Sequence, residues 1–79
     1  MKPDPTITAA VRQKMREIGE EIARLRKEKG VKFYSTKINV GVYEHQTKGV
    51  LSGEKSYTIQ TLLLLLSELN YTITLTPKP

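Results

Sequence analysis

Apolar residues recur along the first third of the chain on a helical period. Val11, Met15, Ile18, Ile22 and Leu25 stand four, three, four and three residues apart, which sets them in one stripe of an amphipathic helix. Thr6 or Thr8 is expected to cap its start. Gly30 is expected to end it, with Lys27 and Lys29 favourably placed in the last turn. Such a helix runs about 22 residues, with Gly19 a weak point near its middle. Residues 6–17 either extend it or fold back as a separate element. A second clear segment is Ser56 to Asn70. Ser56 or Thr58 serves as N-cap, Asn70 as stop, and Ile59, Leu62, Leu63, Leu65, Leu66 and Leu69 cover a broad apolar arc. Leu64 falls outside that arc and is expected to be exposed on a lone monomer.

The period then changes. Tyr71, Ile73 and Leu75 alternate with Thr72, Thr74 and Thr76, a compact strand pattern closed by Pro77 and Pro79. Between the two helical segments the pattern is ambiguous. Val31, Phe33, Tyr34, Ile38, Val40, Val42 and Tyr43 favour strands, so a hairpin around Asn39 to Gly41 competes with two short helices broken at Gly41. If residues 31–53 are helical, the closing strand has no mate in its own chain. Backbone groups need partners, so it would pair with the same strand of a second molecule.

Seventy-nine residues allow one small domain with a marginal core of its own. The expected division is a flexible arm at 1–5, a domain at 6–70 and a dimerisation strand and tail at 71–79. Without cysteine there is no disulfide or thiolate site, and a single histidine excludes a histidine-built metal centre. The longest apolar run, Leu62 to Leu66, is far below the roughly 20 residues of a membrane helix. The first residues lack a signal-peptide core, so a cytoplasmic protein is expected. Thirteen basic residues against eight acidic ones give a net charge of +5, which favours nucleic acid as partner. No enzyme is expected. No nucleophile–base–acid set stands out, Gly41, Gly49 and Gly53 lack the order of a phosphate loop, and Glu20 and Glu21 point different ways on their helix. No cofactor is called for.

The segments IGEEIARLRKEKG (18–30) and YTIQTLLLLLSELNYTI (57–73), with the glycine steps 30, 41 and 53, are very like the first and fourth helices of the Xre/Cro-type helix-turn-helix family. The C-terminal strand further resembles that of the HipB-type antitoxins. The resemblance implies an all-α, lambda-repressor-like bundle of four or five helices, with a short C-terminal β-strand pairing across a homodimer. Helix 3 would run from about Val42 to Ser52 and enter the major groove by its first turn. Tyr43, Glu44, His45, Gln46 and Lys48 would read bases. Lys32, Phe33, Ser52, Lys55 and Tyr57 would lie at phosphates. Leu64, Tyr71, Ile73 and Leu75 would form the dimer interface. The chain departs from the family at Thr36 and Lys37 (usually Leu-Ala), at Phe33 (usually Gln), at Leu51 (often a glutamate paired to the arginine at position 26) and at Gly49 in the recognition helix. Helix 2 could rotate so that Tyr34 and Ile38 face inward.

The function expected from these features is sequence-specific binding of double-stranded DNA by a homodimeric repressor. A toxin protein is a further candidate partner if the chain is an antitoxin. The alternative is a helical protein-interaction module that kept the fold and lost DNA binding.

Overall fold

A computed structural model of the chain describes residues 4–77. The fold is all-α. Helix α1 spans Pro5–Lys29, α2 Phe33–Val40, α3 Glu44–Ser52 and α4 Ile59–Glu68. Residues 6–17 extend α1 rather than folding back. The cap expected at Thr6 or Thr8 is instead Asp4, whose carboxylate accepts from the Thr6 N–H at 2.8 Å, with Pro5 opening the first turn. Part of the arm expected at 1–5 is therefore the helix start, and residues 1–3 lie outside the described residues.

The hairpin alternative for the middle is overturned: residues 33–40 and 44–52 are helical. The three glycine stops explain why. Gly30, Gly41 and Gly53 take φ of 67°, 73° and 66°, the left-handed conformation that ends a helix at little cost to glycine. Asn70, at φ 64°, does the same for α4, where the Tyr71 N–H reaches the Leu66 carbonyl at 2.8 Å.

The core is built from Ile22 and Leu25 of α1, Val42 before α3, Val50 of α3, and Leu62, Leu65 and Leu69 from α4 and its end. Each such side chain contributes roughly 1.5–3 kcal/mol by leaving water. The apolar arcs are narrower than their patterns imply. Val11 is exposed, in an open groove between the first half of α1 and residues 54–56. Ile59 and Leu63 are also exposed, while Leu64, expected to stand clear, is half-buried against the core. Gly19 is no weak point but a place of close approach. A Cβ there would lie 2.6 Å from the Val50 carbonyl oxygen and closer still to that of Leu51, so α1 meets the end of α3 backbone to backbone.

Residues 71–77 form neither helix nor strand within the chain. Among the described residues the strand pattern at Tyr71, Ile73 and Leu75 finds no strand to pair with. Tyr71 and Ile73 instead border an apolar groove with Ile18, Leu25, Leu62 and Leu66, and Leu75 is 93% exposed. Among the described residues no helix is long and apolar enough to cross a membrane.

Candidate nucleic-acid interface

Helices α2 and α3 are joined by the short turn 41–43, and a buried polar cluster fixes α2 on α1 and α4. The Arg26 guanidinium donates to Thr36 Oγ1 at 2.8 Å and to Glu68 Oε1 at 3.3 Å. The Thr36 hydroxyl reaches the same Glu68 oxygen at 2.8 Å. Asn39 Nδ2 donates to the other, Oε2, at 3.3 Å. Arg26 also lies over the Phe33 ring, 5.3 Å from its centre. Position 51, where the resemblance places a partner for Arg26, holds leucine, and the partner is Glu68, 42 residues away. One signal could have found it: Glu68 is the only charged residue of an otherwise apolar and neutral helix, and charges are rarely buried unless paired.

The same cluster decides which side of α2 faces inward. Thr36 is fully buried, while Tyr34 and Ile38 are 70% and 78% exposed. The inward rotation expected for those two is therefore wrong. Turning them in would take Thr36 away from Arg26 and leave a buried cation short of a partner. Lys37 is exposed and stays out of the core.

The residues expected to read bases gather at the start of α3, and all are exposed. The Tyr43 and His45 rings stack nearly parallel, 6.1 Å between centres. Gln46 Oε1 accepts from the Tyr43 N–H at 2.9 Å, so its oxygen caps the helix and its amide NH₂ remains as donor. Glu44 pairs with Lys48 at 2.8 Å, one turn on. That pair balances the carboxylate's charge locally. Lys37 and Lys48 lie over the Tyr43 and Phe33 rings at 5.1 and 5.5 Å. Position 49 opens onto empty space, since a Cβ there would meet nothing within 4 Å.

The expected phosphate contacts divide. Lys32, at the N-cap of α2, and Lys55, between α3 and α4, are exposed. Phe33 is half-buried and held between Arg26 and Lys48. Ser52 is occupied in closing α3: its hydroxyl donates to the Gly49 carbonyl at 3.1 Å and accepts from the Glu54 N–H at 3.3 Å. Tyr57 is half-buried against the core, and that burial pushes its phenol above its usual value. Two grooves flank the start of α3. Phe33, Lys37, Tyr43 and His45 line one. His45, Gln46, Gly49, Lys55 and Tyr57 line the other. Tyr71, Ile73 and Leu75 lie outside both, and Leu64 packs on the core.

Comparison with protein-family models, with curated proteins and with solved structures finds no match to the chain in any of the three.

Proposed function

We propose that this chain is a homodimeric helix-turn-helix regulator that binds double-stranded DNA in the cytoplasm, with α3 entering the major groove and the 71–76 segments of two copies pairing in a shared sheet. A toxin partner belongs to the same reading if the chain is an antitoxin. The observation that carries the proposal is the start of α3: an exposed turn bearing Tyr43, His45 and Gln46, whose one carboxylate is matched by Lys48. Exposed Lys32 and Lys55 stand on either side of it in the chain. The glycine-framed likeness to the Xre/Cro family supports the same reading.

Selection from a random duplex pool, followed by anisotropy titration at several salt concentrations, tests it. Enrichment of an inverted repeat with half-sites about 34 Å apart is expected, with affinity falling steeply with salt. Lys48→Ala should weaken binding to every sequence, because it removes a cation and uncovers Glu44, whereas Gln46→Ala should change sequence preference. Absence of binding to any duplex at low salt would overturn the proposal.

Exposed Tyr34 and Ile38 on the outer face of α2 favour the second reading, a protein-interaction module. That reading gains if selection enriches nothing while Tyr34→Ser with Ile38→Ser makes the chain more soluble.

A further inference from the structure

The ion pairs of this chain are unevenly spread. Lys14 pairs with Glu17, Arg24 with Glu21 and Glu28, Arg26 with Glu68, and Lys48 with Glu44. Lys27, Lys29, Lys32 and Lys37 have no such partner among the described residues, nor do three cations that the fold gathers at one place: Arg12 and Arg16, one turn apart on the first half of α1, and Lys55 in the loop before α4. The fold brings them together. Gly53 backs directly onto α1, where a Cβ would lie 2.7 Å from the Arg16 Cα and N. Arg12 Nη1 donates to the Glu54 carbonyl at 3.5 Å, which aims its guanidinium at the same loop. Arg12 and Lys55 line one groove with Met15, Glu54 and Ser56, and Lys55 also lines the groove with Gln46 and Gly49 beside α3. Lys55 thus joins two neighbouring surfaces, and the cations Lys55, Arg12 and Arg16 outnumber the one carboxylate, Glu54, that lines the groove between them. The carboxylates nearest by sequence are Glu17, which pairs with Lys14, and Glu54, which forms no ion pair with any of the three.

We infer that Arg12 and Arg16 contact backbone phosphates flanking each half-site, extending through Lys55 the DNA surface centred on α3. The inference rests on the DNA-binding reading above and adds residues outside the helix-turn-helix unit. Arginine suits the role, since its planar fork can grip a phosphate with two hydrogen bonds. Contacts of this kind set affinity and register without reading sequence.

The test uses the full chain and a fluorescent duplex that carries the inverted repeat enriched by selection with base pairs on either side, and affinity is measured across a salt series. Each phosphate contact contributes about 0.9 to the slope of log affinity against log salt, so Arg12→Ala with Arg16→Ala should flatten the slope by about 1.8. Arg12→Lys with Arg16→Lys should keep it. Both sites are exposed on a helix, and circular dichroism confirms that each variant keeps its helix content. A duplex trimmed of its flanking base pairs should flatten the wild-type slope and leave the double-alanine slope unchanged. A double-alanine variant with the wild-type slope on the long duplex overturns this inference and spares the DNA-binding reading. A wild-type chain that binds no duplex removes both.

Discussion

Removing the Glu68 carboxylate isolates the contribution of the buried cluster. Its side chain and that of Arg26 are 4% and 6% exposed, and the carboxylate engages Arg26, Thr36 and Asn39 at once. Glu68→Ala leaves the guanidinium inside the protein with Thr36 as its remaining hydrogen-bond partner. Breaking a buried pair from one side typically costs about 3–5 kcal/mol. A domain of this length has roughly 4–12 kcal/mol in total at ~0.05–0.15 kcal/mol per residue. The variant is therefore expected to lose about a quarter of its stability or more. Urea denaturation followed by helix circular dichroism reads this directly: with a slope near 1 kcal/mol per molar, the midpoint should fall by about 3–5 M. Replacing both partners, Arg26→Met with Glu68→Leu, should recover most of the loss, since an apolar pair of similar volume avoids stranding a charge. Thr36→Val should cost about 1–3 kcal/mol by leaving polar neighbours short of a partner. The reasoning fails if Glu68→Ala costs less than about 1 kcal/mol, or if the double replacement is as damaging as the single one.

Other consequences follow from single features. Gly19→Ala should destabilise by about 2 kcal/mol or more in thermal melts despite alanine's ~1 kcal/mol helix preference, because the added methyl meets backbone oxygens that cannot swing away. Ile73→Asp should give a monomer in sedimentation velocity, and a dimer that survives it would mean the tail is not the interface. Burial raises the Tyr57 phenol above its usual 10.0, so the unfolded chain ionises first. The stability held by the neutral phenol is complete below about pH 10 and is lost as pH climbs through the raised value. Tyr57→Phe should make the alkaline decline in stability shallower.

Much of the fold was legible because local signals agreed. The Ile22 and Leu25 positions and the glycines at 30, 41 and 53 mark α1 and the breaks on both sides of α2 and α3, and the structure uses every one of them. The leucine run was harder to read. With leucine at every position from 62 to 66, the pattern cannot tell an inner face from an outer one, and tertiary packing selects Leu62, Leu65 and Leu69. The face of α2 was illegible for another reason. It is set by a hydrogen bond from Arg26 to Thr36, which no periodicity of eight residues contains. At the candidate interface, the exposed residues of α3 stand where the spacing puts them. Their local engagements, Gln46 as a cap and Glu44 with Lys48, depend on rotamers that a sequence does not state.

The reach of α1 has a consequence for motion. At 1.5 Å per residue its 25 residues run about 37 Å, close to the 41 Å longest dimension of the molecule. Its opening turns, with Ile7 and Val11 exposed, gain little from tertiary burial and rely on their own backbone ladder and the Asp4 cap. Amide protons there should exchange with solvent by local fraying, long before those around Ile22 and Leu25, which require the whole domain to open. Any surface that captures those turns pays an ordering entropy the rest of the molecule has already met, and slower exchange at residues 6–11 would report the capture.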